Sequence, residues 1–117
     1  MAISITEHPN RVRVRFNGRT VAESDHALAL QEGTYPRVLY LPRADADMSL
    51  FERSARTTHC PYKGEANYFS LRVGDRTATD AVWTYETPFA EVVAIAGHLA
   101  FYPDRVDWIE EEAKGPA

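Results

Sequence analysis

Alternation of apolar and polar residues is the clearest pattern in the chain, and it predicts β-strands. In Arg11–Phe16 every second residue is valine or phenylalanine and the residues between them are arginines. This is the period of a strand with one buried face and one face in water. Asn17-Gly18 follows, and these residue types accept the positive φ angles of a tight hairpin turn. We therefore predict a hairpin that returns through Arg19–Ala22. The arginine face is interpreted as a solvated sheet surface, with phosphate binding as the alternative.

Similar signals recur along the rest of the chain, separated by turn residues. Arg37–Leu41 is apolar on both faces and stops at Pro42, which indicates a buried central strand. Further strands are predicted at Ala27–Gln31, Tyr68–Val73, Thr77–Glu86, Leu99–Tyr102 and Val106–Ile109.

Two stretches have helical character instead. Asp47 is a plausible N-cap for one or two turns before Arg53, and the apolar residues of Pro88–Gly97 fit helical spacing. With about seven or eight strands and no βαβ alternation, the fold class is mainly β. We predict a single compact antiparallel sheet, rolled or barrel-like, with one or two short helices.

The length of 117 residues fits one domain with one core. We assign residues 1–109 to a single β-rich domain. The acidic end, Glu110–Ala117, is predicted to be a flexible tail.

Composition narrows the classes of function. The net charge of −4 argues against nucleic-acid and anionic-membrane binding, which usually need a basic surface. One cysteine excludes an internal disulfide, and four scattered histidines show no metal-ligand spacing. There is no apolar run of about 20 residues and no signal-peptide layout, so we expect a cytoplasmic protein. No motif names a cofactor, and a homo-oligomer is compatible with these features but not specified by them.

The densest cluster of reactive side chains lies in Thr57–Ala66, which Pro61 and Gly64 mark as a shaped loop. Cys60 is a candidate nucleophile, which it can be only as a thiolate. Lys63 is a candidate acid or anion contact, and His59 a candidate assisting base. The alternatives are a buried apolar thiol, a solvent-exposed lysine and a packed histidine.

Aromatic residues form the second candidate feature. Trp83 and Tyr85 share one face of a predicted strand by the period of two. Rings with polar tips suit the walls of a small-molecule pocket, although a plain hydrophobic core is the alternative. The other predicted ligand contacts, aromatic or polar, are Tyr40, Arg43, Asp45, Tyr62, Gly64, Tyr68 and Tyr102, and Glu32 lies at a strand end where it can add a polar contact.

Four segments together resemble one small microbial family. They are Val38–Arg43 with Asp45, Thr58–Tyr68, Ala81–Tyr85 with Pro88, and Ala100–Tyr102. The family is the one catalogued as domain of unknown function 427, and the resemblance covers about Arg11 to Trp108. It implies a compact, β-rich single domain and supplies no established reaction. The motif positions it carries over are Tyr40, Arg43, Asp45, Cys60, Lys63, Gly64, Tyr68, Trp83, Tyr85 and Tyr102.

The leading hypothesis is a domain that binds a small anionic or aromatic molecule beside the Cys60–Gly64 segment, with chemistry at Cys60 and Lys63 as an extension of it. The alternative from another class is a non-enzymatic interaction or structural module, in which the same residues brace a loop. The family also carries a nucleotidyltransferase-type label, which gives a third alternative. That reaction commonly uses metal-held carboxylates beside a phosphate-binding loop, and the chain has no glycine-rich loop of that kind.

Overall fold

The computed structural model describes residues 2–114. Ten strands make up most of this span, and three short 3₁₀ turns supply its helical part. The strands are β1 (Ile3–Glu7), β2 (Asn10–Phe16), β3 (Arg19–Ser24), β4 (Leu28–Glu32), β5 (Val38–Tyr40), β6 (Phe51–Cys60), β7 (Gly64–Val73), β8 (Arg76–Thr84), β9 (Leu99–Phe101) and β10 (Trp108–Ala113). The 3₁₀ turns are Arg43–Asp45, Met48–Leu50 and Ala90–Ile95.

The strands form three antiparallel sheets rather than the single sheet predicted. Sheet I has the order β1-β4-β5, sheet II the order β10-β2-β3, and sheet III the order β6-β7-β8-β9. The mainly β class is confirmed, but the single sheet was wrong, and over residues 2–114 the strands do not close into a barrel. Local alternation predicts a strand in any sheet, whereas the choice of partner depends on contacts between distant segments.

Sheets I and III are joined where β5 ends. The backbone N–H of Leu41 donates to the carbonyl of Leu99 at 2.8 Å, and Leu99 donates back to Leu41 at 2.7 Å. The segment Arg37–Leu41, predicted as a central strand, forms only the short strand β5. It has β4 on one side and, through Leu41, β9 on the other. This bridge links the end of β5 in sheet I to β9 at the edge of sheet III.

The predicted hairpin at Asn17-Gly18 is confirmed. Phe16 pairs with Arg19, and the two turn residues have φ values of 49° and 77°. Two of the three arginines of β2 contact carboxylates of neighbouring segments: Arg11 Nε lies 2.8 Å from Asp25, which directly follows β3, and Arg13 contacts Glu23 of β3 at 3.1 Å and Glu110 of β10 at 3.2 Å. These cross-strand pairs agree with a solvated sheet surface and give no support to phosphate binding.

The predicted boundary between domain and tail, at residue 109, falls inside β10. Glu110 and Glu112 pair with Arg13 and Arg11 of β2 in the antiparallel register. The part of the predicted tail at residues 115–117 lies outside the described residues.

The Thr57–Ala66 segment is a hairpin instead of the predicted loop. Cys60 pairs with Gly64 across a turn at 61–63, and His59 pairs with Glu65. Gly64 has a φ of +110°, which an L-residue rarely adopts, so glycine makes the tight return possible. The segment lacks apolar alternation because much of one face is exposed, and backbone pairing forms the strand without it.

Two clusters of buried side chains stabilise the three sheets. The larger lies between sheets II and III and includes Val12, Val14, Leu71, Val82 and Leu99. The smaller one lies between sheets I and III, and its members are Leu30, Tyr40, Ala66, Tyr68, Tyr85, Val92, Ile95 and Ala100. The candidate site is in this second, more aromatic cluster. Within residues 2–114, no helix has the length and apolar character needed to cross a membrane.

Candidate ligand-binding site

A cavity of about 230 Å³ opens between sheets I and III, and we call it the aromatic cavity. Six of the predicted site residues line it: Tyr40, Lys63, Tyr68, Trp83, Tyr85 and Tyr102. They come from four separate segments of the chain, and the meeting of sheets I and III brings them together. The remaining lining residues are Leu30, Glu32, Tyr35, Pro36 and Val38.

A buried ion pair lies in the wall of the aromatic cavity. The ammonium of Lys63 is 2.6 Å from Oε1 of Glu32, and the two side chains are only 10% and 14% exposed. The same ammonium lies 3.6 Å from Sγ of Cys60. The backbone of Lys63 is also fixed, since its carbonyl accepts the N–H of Phe89 at 2.9 Å. The β6–β7 turn thus places the Lys63 ammonium next to both the Glu32 carboxylate and the Cys60 thiol.

Trp83 lies in the wall of the aromatic cavity and contacts two of its tyrosines. Its indole N–H donates to the hydroxyl of Tyr40 at 3.3 Å, and its ring centroid lies 4.5 Å from that of Tyr102. Burial raises the pKa of Tyr40 to about 12. Burial also raises the pKa of Tyr85, and the negative charges that neighbouring groups can carry add to the effect. Both phenols are therefore protonated at neutral pH and can donate hydrogen bonds.

Tyr68 and Tyr102 form the rim, together with polar neighbours. The Tyr68 hydroxyl lies 3.0 Å from Oγ1 of Thr58, and the guanidinium of Arg56 lies 5.0 Å from the Tyr68 ring centroid. Burial raises the pKa of Tyr68, but Thr58, Tyr102 and Arg56 together outweigh it, so the pKa is lowered. Burial and the neighbouring Tyr68 raise the pKa of Tyr102 to about 12. The two phenols thus differ in acidity although they share one rim.

Three residues predicted to contact a ligand lie away from the aromatic cavity. Arg43 stacks over the Phe69 ring at 5.3 Å. Asp45 accepts a hydrogen bond from the Ser24 hydroxyl at 2.6 Å, between the first 3₁₀ turn and β3. Tyr62 is 45% exposed on the outside of the hairpin turn. All three are close in sequence to cavity residues, but the pleat and the turn direct them elsewhere.

The remaining predicted residues surround the turn without lining the cavity. His59 is exposed, with its ring edge-on to Phe89 at 6.4 Å. It follows the strand alternation and points away from the side of β6 that carries Cys60. Gly64 has its backbone against Pro88 and Phe89 and shapes the turn. Cys60 is half-buried and reaches the site through its contact with Lys63.

Four cavity residues were not predicted from the sequence, and all four belong to sheet I or the turn that enters it. They are Leu30, Tyr35, Pro36 and Val38. No motif marks them, and their contribution depends on sheet I packing over sheet III. The neighbouring Tyr35 and Pro36, after the Glu32-Gly33 turn, were the available signal, since binding residues lie disproportionately on loops.

A second cavity, of about 420 Å³, lies beside the first and is bounded mainly by apolar side chains. Pro36, Val38 and Trp83 belong to the walls of both cavities. The Trp83 indole therefore borders both the aromatic cavity and the second, mainly apolar cavity.

A family model described as a domain of unknown function (DUF427) matches residues 4–112. No curated protein matches the chain.

Proposed function

We propose that this chain, which belongs to the DUF427 family of domains of unknown function, binds a small molecule containing a planar ring in the aromatic cavity. The observation that carries the proposal is the convergence of five tyrosines and Trp83 on one cavity that also holds a buried ion pair. Aromatic walls with a few fixed polar groups are typical of small-ligand sites.

The volume of the aromatic cavity limits the ligand. Sites for drug-sized molecules occupy roughly 300–1,000 Å³, and this cavity has about 230 Å³. The part of the ligand that enters is therefore one ring with few substituents. Trp83 and Tyr102, already 4.5 Å apart, supply the ring surfaces against which it would pack.

The charges inside the cavity also limit the ligand. Lys63 and Glu32 balance each other at 2.6 Å, and Tyr40 and Tyr85 are neutral at neutral pH. A charged group placed deep inside would be desolvated without a free counter-charge. The ring is therefore expected to be neutral and to form hydrogen bonds with the phenols.

Tryptophan fluorescence tests this proposal directly. Trp108 is 63% exposed and outside the cavity, so a Trp108→Phe background leaves Trp83 as the reporter. We expect phenol to change the Trp83 emission in a saturable way. Tyr102→Ala should weaken phenol binding by about fivefold or more, because the stacked wall is lost.

Tyr62→Ala is the matched control, since it removes a tyrosine that lies outside the cavity. It should leave the binding curve unchanged. Absence of saturable binding, or equal effects of the two tyrosine variants, would count against a ligand site in this cavity.

Chemistry at Cys60 is a separate extension of the proposal. The 3.6 Å contact between Sγ and the Lys63 ammonium motivates it, because the reactivity of a thiol depends on the groups that surround its sulfur. The rate of alkylation of Cys60 by iodoacetamide at neutral pH measures this effect. We expect Lys63→Met to slow alkylation, and an unchanged or faster rate would remove the nucleophile from the proposal.

A structural role is the second candidate, and the Lys63–Glu32 pair favours it. That pair connects the β6–β7 turn to the end of β4, so it braces sheet I against sheet III. Under this alternative the pair only stabilises the fold, and no probe binds to the folded protein. For the nucleotidyltransferase alternative, residues 2–114 contain no group of three His, Cys, Asp or Glu side chains arranged to hold a metal ion. The geometry therefore gives that alternative no support.

A further inference from the structure

The arginines of this acidic protein differ in whether a carboxylate neutralises them. Seven of them have a carboxylate within 4.0 Å among residues 2–114: Arg11, Arg13, Arg19, Arg37, Arg53, Arg72 and Arg76. Arg56 and Arg105 are among those without such a partner in the described part of the chain. Both lie over aromatic rings, and both of those rings line the aromatic cavity.

The two guanidiniums lie on the same rim. Arg56 stacks over Tyr68 at 5.0 Å, and Arg105 stacks over Tyr102 at 4.8 Å. Arg105 is held in place by two backbone carbonyls, those of Thr79 at 3.2 Å and Asp80 at 3.1 Å. Both arginines act to lower the pKa of the Tyr102 phenol, although burial and Tyr68 outweigh them and the net change is upward.

We propose that Arg56 and Arg105 bind an anionic group, a phosphate or a carboxylate, on the ring-containing ligand of the aromatic cavity. This inference rests on the proposed function and specifies its ligand as a ring with an anionic substituent. The ring would lie between the aromatic walls, and the anion would remain at the rim beside the two guanidiniums. Arginine suits this task because its planar fork of donors matches both anions.

The geometry assigns this role to the rim rather than to Lys63. The Lys63 ammonium is the only cation among the cavity-lining side chains of residues 2–114, and Glu32 already neutralises it at 2.6 Å. An anion placed there would meet the Glu32 carboxylate. At the rim, Arg56 and Arg105 are exposed and have no carboxylate within that described span to displace, so an incoming anion forms new charge-assisted hydrogen bonds.

The test compares three probes that share one ring: phenol, benzoate and phenyl phosphate. Binding is followed by Trp83 emission in the Trp108→Phe background. We expect at least one anionic probe to bind about tenfold more tightly than phenol, from one or two hydrogen bonds to charged groups. This preference should shrink as salt is raised, because the rim charges are exposed. The stronger of the two anionic probes identifies the substituent class.

The double variant Arg56→Gln/Arg105→Gln should abolish the preference, so that the anionic probes bind no more tightly than phenol does. Arg72→Gln is the matched control, since it removes an exposed arginine of β7 that pairs with Glu52. It should retain the preference. Melting curves verify that all variants are folded.

The outcomes separate the two proposals. If phenol binds but neither anionic probe binds more tightly, or if the preference survives in the double variant, the rim assignment is overturned and the ring site stands. If no probe binds to the Trp108→Phe protein, the proposed function fails, and the rim assignment fails with it.

Discussion

The ammonium of Lys63 and the carboxylate of Glu32 lie 2.6 Å apart, although 31 positions separate them in the chain. The contact joins the β6–β7 turn of sheet III to the end of β4 in sheet I. Both side chains are mostly shielded from water, so each charge depends on the other. Both residues also line the aromatic cavity. A substitution of either one can therefore change both the stability of the fold and ligand binding, so both have to be measured.

Removing one partner of this pair should destabilise the protein strongly. Lys63→Met leaves Glu32 as an uncompensated, mostly buried charge, and Glu32→Gln does the same to Lys63. We expect each single variant to lower the free energy of unfolding by about 3 kcal/mol. The double variant Lys63→Met/Glu32→Met should lose less than the sum of the two. Urea unfolding gives these values, and additive losses would show that the two groups are not coupled.

The buried phenol of Tyr40 predicts a loss of stability at alkaline pH. Its pKa is raised to about 12 in the folded protein from an ordinary value of 10.0. The unfolded chain therefore releases this proton first, and the stabilisation is lost as pH rises from 10 to 12. In Tyr40→Phe this decline should be smaller by roughly 2 kcal/mol over that range. Parallel urea titrations of both proteins measure it, and identical slopes would contradict the assignment.

The hydrogen bonds of the Asp107 carboxylate predict a loss of stability at acidic pH. Its carboxylate accepts hydrogen bonds from Arg76 at 2.9 Å and from the Asn17 backbone N–H at 2.7 Å. The Arg76 contact and then the Asn17 contact hold its pKa below the ordinary 3.8. The resulting stabilisation is present above pH 3.8 and is lost as pH falls through the folded pKa. Asp107→Asn should be less stable than the wild type at pH 6, and the difference should narrow towards pH 3 in urea unfolding. A gap that stays constant with pH would contradict this.

Gly64 and Gly18 provide a matched pair of substitutions. Gly18 has a φ of +77°, and an alanine methyl there would have no heavy atom within 4 Å, so the substitution costs about 1 kcal/mol. Gly64 has a φ of +110°, further from the left-handed region that other residues visit. Gly64→Ala should therefore cost about 1–3 kcal/mol, and more than Gly18→Ala. Thermal unfolding of the two variants checks the order, and a reversed order would show that the hairpin turn is not strained by a side chain.

The sequence by itself determined most of the strands and the residue types of the site, although it did not reveal β1 and indicated a loop where β6 and β7 form a hairpin. The alternation in β2, the Asn17-Gly18 turn and the ring-bearing strands depend on local backbone preferences, which act over a few residues. Six of the cavity-lining residues could also be named from the sequence, because residues such as Trp83, Tyr40 and Lys63 stand out by chemical type. Family resemblance singled out the same positions.

Only the tertiary structure decided which of these residues meet. The division into three sheets, the pairing of Lys63 with Glu32 and the position of Arg56 and Arg105 on the rim depend on contacts across long stretches of chain. Arg43 and Lys63 look equally free in the sequence, yet one stacks on Phe69 and the other is neutralised. Periodicity places a side chain on one face of a strand, but which strand packs against that face depends on how the whole core is buried.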